Sequence, residues 1–240
     1  MRERRRPSWR SLSAFAVRGG RFPEGKLVLL YLVRHGETDW NRARRIQGST
    51  DIPLNDTGRG QAAATGRLLA RRDWDAIYSS PLSRAFETAS IIASEVGLGL
   101  PERVDALVER HYGEAEGLAD PELTRRFPGD TPVPGRETRE EVAARAMPAL
   151  LELAERHPDE AIIVVGHGGF IRAVLGVVDP HGTHGMITNG SVHSLRHDNG
   201  TFSLIAFDDP IEAESLESAT ENLEDQNAVE QRDSAGSPVR

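Results

Sequence analysis

The sequence predicts an α/β protein built as a three-layer α/β/α sandwich around a mainly parallel central sheet. Two continuous apolar runs, at residues 27–33 and 161–166, have the composition of strands that are buried on both faces. Other stretches carry apolar residues at helical spacing. Because strands that alternate with helices are typical of parallel sheets covered on both faces, we expect one such domain over residues 26–208.

The remaining elements follow from local patterns along the chain. Helices are predicted over residues 61–71 (after a cap at Asp56), 82–96, 137–156 and 170–178, and further strands over 75–80, 191–197 and 201–207. Gly58 and Gly60 are expected to loosen the first of these helices. Asp198, Asn199 and Gly200 predict a hairpin between the last two strands, because Asn and Gly tolerate the positive φ of tight turns.

Both ends of the chain differ in composition from this domain. Residues 1–25 are basic, and their short apolar part runs directly into Arg18, so we expect a disordered arm, or a start codon assigned too early, rather than a secretory signal. Residues 209–240 are acidic and lack aromatic side chains, which predicts a disordered tail.

The overall composition excludes several kinds of protein. The net charge of −8 argues against a general nucleic-acid binder, and no apolar run has the length of a membrane span. The chain has no cysteine, which excludes thiolate catalysis and fits a reducing cytoplasm. We therefore expect a cytoplasmic protein without a nucleic-acid or membrane partner, and leave a homodimer possible.

Polar and glycine residues follow the predicted strands at the points where a parallel sheet binds its ligands. Arg34, His35 and Gly36 follow the first strand, and His167 follows the strand at 161–166. Arg84 falls in the first turn of a helix, where free backbone N–H groups favour anions. Two histidines and two arginines at one sheet edge predict an anion site.

Four separated segments carry a resemblance to a known family. "LVRHGETDWN", "SSPLSRAFETA", "VERHYGEAEGL" and "VVGHGGFIRAV" together resemble the histidine phosphatase superfamily, which includes the cofactor-dependent phosphoglycerate mutases. The resemblance covers essentially residues 27–207. Three residues such as Arg-His-Gly are weak alone, but four segments in the right order are specific.

The resemblance implies a set of roles, with His35 as the nucleophile that becomes a phosphohistidine. The other implied roles are phosphoryl binding by Arg34, Arg84 and His167, assisted by Asn41 and Gly168, and proton donation by Glu109. Gln47 is expected to line the pocket. Arginine forks suit phosphate oxygens, and guanidinium groups beside a histidine disfavour its cation. A bound phosphate dianion would hold the proton on Glu109, and no metal or other cofactor is required.

The same resemblance leaves three functions open. The favoured one is metal-independent hydrolysis of small phosphate monoesters, such as sugar phosphates or phosphoglycerate-like acids. Arg110 and Tyr112 resemble substrate-contacting residues of the mutases, whose reaction needs bisphosphoglycerate as a primer, but the chain after Glu109 is too short for the mutases' insertion. A phosphate-ester-binding protein without turnover ranks last, because the implied catalytic set is complete.

Some residues depart from the family pattern or have simpler interpretations. Ala115 stands where many members carry an aromatic residue, and residues 135–138 replace a "GGES"-like helix start; both changes are expected to affect specificity at the rim.

Several other polar residues have simpler interpretations. Four histidines are interpreted as packing residues: His111, His157, His193 and His197, the last two on an edge-like strand. Thr38 and Ser80 are expected to cap turns, Arg125 and Arg126 to solvate a helix, and His181 with His184 to make a poor metal site.

Overall fold

The computed structural model describes residues 27–209. In this part of the chain the strands are β1 (Leu27–Arg34), β2 (Ala76–Ser79), β3 (Glu102–Arg103), β4 (Ala161–Gly166), β5 (Val192–Asp198) and β6 (Thr201–Ala206). The α-helices are α1 (Asp39–Arg42), α2 (Asp56–Leu69), α3 (Ser83–Val96), α4 (Asp120–Arg126), α5 (Arg139–Arg156) and α6 (Gly168–Val178). The predicted arm and the tail beyond Asp209 lie outside the described residues and remain predictions.

The strands form one sheet in the order β3-β2-β4-β1-β5-β6. β1, β2, β3 and β4 run parallel, whereas β5 pairs antiparallel with β1 and β6 pairs antiparallel with β5. The two apolar runs occupy the centre, and every residue of β4 is buried. The mainly parallel sheet is therefore confirmed, with an antiparallel hairpin at one side.

Helices cover both faces of this sheet. One apolar core joins the sheet to α5 and α6, and a second joins its other face to α2 and α3. This arrangement confirms the predicted α/β/α layers. A third, smaller cluster comes from the chain that follows β1 and β3, and consists of Ile46, Tyr112, Ala115, Leu118 and Leu123.

The start of α2 differs from its prediction. The helix begins at Asp56 instead of residue 61, and the side chain of Asn55 accepts a hydrogen bond from the Gly58 N–H at 2.8 Å. A Cβ on Gly58 would lie 2.1 Å from the Glu37 carbonyl oxygen. Gly58 therefore permits a close backbone contact, which the sequence pattern did not reveal. The short elements α1, α4 and β3 were not predicted because they span too few residues to show periodicity.

The interpretation of β5 as edge-like is wrong. β6 pairs with its outer side, and His193 and His197 are buried. His193 Nδ1 accepts a hydrogen bond from the Asp208 N–H at 3.0 Å, which agrees with a packing role. The hairpin itself is confirmed, since Asn199 and Gly200 have φ angles of 49° and 79°.

None of the helices among the described residues is long and apolar enough to cross a membrane.

Candidate active site

The two histidines predicted to share one sheet edge lie side by side. β1 and β4 pair in parallel register with Arg34 opposite Gly166, so the next residue of each strand emerges at the same level. The rings of His35 and His167 have centroids 5.1 Å apart and meet edge to face. Both side chains are buried.

The hydrogen bonds of His35 define which of its nitrogens can react. Nδ1 lies 2.6 Å from the carbonyl oxygen of Gly36. Because a carbonyl oxygen only accepts hydrogen bonds, the proton resides on Nδ1, and Nε2 keeps its lone pair. The Arg84 Nε–H faces that lone pair at 3.3 Å. The unprotonated nitrogen of His35 therefore faces a guanidinium group.

Burial is the main reason why His35 remains neutral. Removal from water lowers the pKa of His35 well below its usual value, and the charges of Arg84 and Arg34 lower it further, while the hydrogen bond to Gly36 acts in the opposite direction. The guanidinium groups, from which the sequence predicts a neutral histidine, contribute less than burial. The same influences, again led by burial, lower the pKa of His167.

Gly36 is required by a close approach of two backbone segments. A Cβ at this position would lie 2.2 Å from the carbonyl oxygen of Gly58 in α2. The Gly36 N–H also donates to Thr88 Oγ1 at 3.1 Å, which ties the turn to α3. Gly36 thus allows the loop that carries His35 to pack against both α2 and α3.

Arg84 is fully buried, and its guanidinium group is held by backbone oxygens. Its Nη1 donates to the Thr50 carbonyl at 2.8 Å and its Nη2 to the Gly48 carbonyl at 2.7 Å. Burial lowers the pKa of Arg84 to about 10, although the nearby carboxylates of Glu109 and Asp51 oppose this effect. Arg84 consequently keeps its charge at neutral pH and is fixed before any ligand binds.

The other predicted phosphoryl contacts are Arg34, Asn41, Gln47 and Gly168, and the first three are held by hydrogen bonds. Arg34 Nη1 donates to the Ile187 carbonyl at 2.6 Å, and a Cβ on Gly168 would lie 3.5 Å from Arg34 Nε. Asn41 and Gln47 both direct their amide oxygens toward Thr38, which leaves their NH₂ groups as donors. The Nε2 of Gln47 is buried and forms no hydrogen bond with a described residue.

Glu109 lies at the N-terminus of α6. Its carboxylate accepts hydrogen bonds from the N–H groups of Gly169 at 3.1 Å, Phe170 at 2.8 Å and Arg110 at 2.7 Å. These donors and the helix N-terminus stabilise the ionised carboxylate. A Cβ on Gly169 would lie 2.8 Å from Glu109 Oε1 and 3.0 Å from the Tyr112 hydroxyl, so both groups border the same narrow space.

Arg110 and Tyr112, which resemble mutase substrate contacts, lie beside Glu109. Arg110 Nε donates to the Glu137 carbonyl at 2.6 Å, and its guanidinium carbon is 5.3 Å from the centre of the Tyr112 ring. Arg145 from α5 holds this segment through the carbonyls of Ala106, Val108 and Glu109, and forms an ion pair with Glu137 at 2.8 Å.

Glu116 is the main residue that the sequence reasoning missed. Its carboxylate accepts hydrogen bonds from the backbone and hydroxyl groups of Ser49 and Thr50 and from the Tyr112 N–H. Burial alone would raise the pKa of Glu116, but these hydrogen bonds outweigh it and the pKa is lowered. Glu116 therefore connects the loop that holds Arg84 to the segment that carries Glu109. The signal available in the sequence is its position in the turn "EAEG" (residues 114–117), four residues after Tyr112.

The departures from the family pattern have different surroundings. Ala115 is buried in the small third cluster rather than exposed at the rim. Arg136 pairs through its backbone with Tyr112, and its guanidinium carbon is 5.8 Å from that ring. Thr38 caps α1 as predicted, and Arg125 and Arg126 are exposed.

No metal centre is formed by the residues described. His184 lies 3.3 Å from Asp179, and no group of three or more histidine or carboxylate side chains between residues 27 and 209 is arranged to hold a metal ion.

Comparisons with known proteins agree with this geometry. An uncharacterised phosphatase PhoE of Bacillus subtilis is 46% identical over 149 residues, which cover 62% of this chain and 76% of that protein. A metal-independent phosphoserine phosphatase of Arabidopsis thaliana is 37% identical over 71% of this chain and 76% of its own. The native structure of a mycobacterial glucosyl-3-phosphoglycerate phosphatase superposes with a TM-score of 0.69 at 28% identity, covering 76% of this chain and 99% of that one.

Phosphoglycerate mutases also occur among the similar proteins. The family model of the histidine phosphatase superfamily (branch 1) matches residues 30–210. The chain belongs to the histidine phosphatase superfamily.

Proposed function

We propose that this protein hydrolyses phosphate monoesters of small metabolites through a phosphohistidine on Nε2 of His35, without a metal ion. The observation that carries the proposal is the state of His35: a buried, neutral imidazole whose Nδ1–H is bound to Gly36 and whose Nε2 faces Arg84 at 3.3 Å. A neutral nitrogen next to fixed positive charge is what attack on a phosphate dianion requires.

In the first step, the Nε2 lone pair attacks phosphorus and the bond from phosphorus to the ester oxygen breaks. Arg34, Arg84 and His167 would hold the oxygens of the transferring group, with Asn41, Gln47 and the backbone of Gly168 as further donors. Fixed donors of this kind stabilise the charge of the transition state, and removal of one such donor costs a factor of roughly 10²–10³ in rate. The guanidinium groups would supply the positive charge that Mg²⁺ supplies in other phosphoryl transfers.

Glu109 would give a proton to the leaving oxygen and later take one from the attacking water. In this structure three backbone N–H groups donate to the Glu109 carboxylate. A bound phosphate dianion, repelling that negative charge, would favour the protonated form. Water then attacks the phosphohistidine, its proton passes to Glu109, and inorganic phosphate leaves with His35 restored.

The substrate class proposed is small phosphorylated metabolites, with phosphoglycerate-like acids favoured among them. Two similar proteins are named for phosphoserine and for glucosyl-3-phosphoglycerate, both of which carry a carboxylate as well as a phosphate. Arg110 follows Glu109 directly, and its guanidinium group would bind such a carboxylate in the alcohol part of the ester.

Phosphoglycerate mutase activity is the second candidate. The sequence from Glu109 to Tyr112 and the presence of mutases among the similar proteins favour it. A mutase keeps water away from its phosphohistidine and passes the phosphoryl group back to an acid, and it depends on priming by bisphosphoglycerate. A binding protein without turnover is the third, and the complete set of groups around His35 argues against it.

One experiment separates these functions. Phosphate release from a panel of phosphomonoesters is measured in the presence of EDTA for the protein and for His35→Ala, and 3-phosphoglycerate is also tested for isomerisation with priming bisphosphoglycerate. Release that His35→Ala abolishes supports the phosphatase. Isomerisation without net release supports the mutase, and neither activity across the panel would overturn both in favour of the binding protein.

A further inference from the structure

Ser80 has a hydrogen bond that capping does not explain. It follows β2 directly, and its side chain is fully buried. Its Oγ accepts a long hydrogen bond of 3.3 Å from the Leu82 N–H, the capping contact expected from the sequence. The same oxygen lies 2.8 Å from Nε2 of His167, a shorter contact with a residue 87 positions away.

The other ring nitrogen of His167 is left for a ligand. Nδ1 is buried and forms no hydrogen bond with any residue from 27 to 209. Although His167 occupies the N-cap position of α6, its side chain does not cap that helix. The ring lies 5.1 Å from the ring of His35, which would carry the phosphoryl group. Buried polar atoms without partners are rare and call for an explanation such as a missing ligand.

Only one proton arrangement satisfies both Ser80 and a bound phosphate. Neutral histidine carries one N–H, on either Nδ1 or Nε2. If Nε2 carried it, the Ser80 hydroxyl hydrogen would have no acceptor among the described residues, and Nδ1 would turn a lone pair toward phosphate oxygens. If Ser80 donates its hydroxyl hydrogen to Nε2, the proton lies on Nδ1, which becomes a donor.

We propose that Ser80 is a positioning residue that fixes the tautomer of His167, so that the His167 Nδ1–H donates to the phosphoryl group carried by His35. This inference rests on the proposed function for its catalytic consequence, but the tautomer itself does not. The burial that keeps His167 neutral supports it, since a cationic imidazole would have no tautomer to choose.

The neighbouring Ser79 provides a matched control. Its side chain is also fully buried at the end of β2, and its Oγ has no hydrogen-bond partner among the described residues. Ser79→Ala therefore removes a buried hydroxyl from the same strand without removing a contact with His167. Ser80→Thr keeps a hydroxyl, and Ser80→Ala removes it.

The first readout is the tautomer itself. In full-length protein with ¹⁵N-labelled histidine, long-range ¹H–¹⁵N correlations of the ring distinguish Nδ1–H from Nε2–H. The signals of the eight histidines are sorted by comparison with His167→Gln. We expect the Nδ1–H form at His167, with and without inorganic phosphate. The form should persist in Ser79→Ala and Ser80→Thr and be lost or mixed in Ser80→Ala. An Nε2–H form in the unaltered protein would overturn the proposal.

The second readout is kcat for p-nitrophenyl phosphate, with thermal unfolding measured to confirm that each variant is folded. Ser80→Ala should lower kcat by about tenfold to a hundredfold, less than outright removal of a donor, while Ser79→Ala and Ser80→Thr stay close to the original rate. Equal rates for Ser80→Ala and Ser79→Ala would overturn the catalytic part. If the unaltered protein had no phosphatase activity but His167 were in the Nδ1–H form, the proposed function would be wrong and the tautomer assignment would be supported.

Discussion

The two sides of the candidate site are built in different ways. The phosphoryl side lies at the ends of β1 and β4 and in the first turn of α3, and is defined as Arg34, His35, Arg84 and His167. The leaving-group side, defined as Glu109, Arg110 and Tyr112, belongs to irregular chain between β3 and α4, packed against residues 133–138. One side is set by sheet register, and the other by side chains that tie loops together.

This difference separates what the reaction needs from what the substrate needs. Transfer of a phosphoryl group requires donors at fixed distances, and strands and helices hold such donors more rigidly than loops do. Loops tolerate substitution and carry specificity on many scaffolds. We infer that the phosphoryl side acts on every ester the protein accepts, whereas the leaving-group side determines which esters react well.

The largest effect is expected for Arg84→Lys, which attacks the phosphoryl side. Lysine cannot reproduce the fork that bonds to Gly48 and Thr50 and reaches His35, because it presents a single ammonium group. We expect kcat/KM to fall by roughly 10³-fold for both p-nitrophenyl phosphate and 3-phosphoglycerate. Steady-state kinetics of Arg126→Lys, an exposed arginine paired with Glu114 at 2.9 Å, give the control. A loss confined to one of the two esters would contradict the comparison.

Glu109→Gln tests the leaving-group side and should discriminate between esters. A general acid matters when the departing oxygen is a poor leaving group, as in 3-phosphoglycerate, and matters little for p-nitrophenolate, which is stable as an anion. We expect a loss of roughly 10²-fold in kcat for 3-phosphoglycerate and a much smaller loss for p-nitrophenyl phosphate. Similar losses for both would mean that Glu109 acts on the phosphoryl group or on the packing of α6, and not as the acid.

The same division explains how much of the site could be predicted from the sequence. His35 and His167 follow continuous apolar runs, and Arg84 lies in the first turn of a helix that follows a predicted strand. The type and order of these elements could be predicted, so the meeting of the three side chains at one sheet edge followed from topology. The hydrogen bonds that hold the Arg84 guanidinium group could not be predicted, because their acceptors, the Gly48 and Thr50 carbonyls, belong to a loop without a periodic pattern. Backbone oxygens carry no residue identity that a sequence could display.

Glu116, the second contact of Ser80 and the position of β5 were missed for a related reason. Glu116 resembles an ordinary surface residue in sequence, and its function depends on a loop more than 60 positions away folding over it. The sequence predicts only a capping role for Ser80, because its contact with His167, 87 positions away, leaves no local pattern. β5 was misplaced at the edge because pairing order within a sheet is a tertiary property.

Glu116→Gln should affect both sides, because Glu116 bonds to Tyr112 on the leaving-group side and to Thr50, whose carbonyl holds Arg84 on the phosphoryl side. A glutamine has one acceptor oxygen where the carboxylate has two, so part of the contact with Ser49, Thr50 or Tyr112 must be lost. We expect kcat to fall by about tenfold for both esters, through displacement of Arg84 and Glu109 together. Glu114→Gln, two residues earlier and paired with exposed Arg126, is the control for kinetics and thermal unfolding. If only the unfolding temperature changed, Glu116 would be structural without positioning the site.

The smallest effect on turnover is expected for a buried histidine that belongs to neither side. Burial, with the charge of Arg172 second, lowers the pKa of His193 from 6.5 to about 3. His193 therefore binds a proton below pH 6.5 in the unfolded chain but only below about pH 3 in the folded protein. As the pH is lowered from 6.5 to about 3, the free energy of unfolding decreases. His193→Gln removes the titrating group, so the loss of stability between pH 7 and pH 5 should shrink by about 2 kcal/mol.

Urea unfolding at both pH values measures this change in the free energy of unfolding, and turnover at pH 7 should be unchanged. His35 and His167 remain to cause acid sensitivity in the variant, because their pKa values are also lowered by burial. An unchanged pH dependence would show that His193 is solvated or charged in the folded protein, whereas altered turnover would tie β5 to the site.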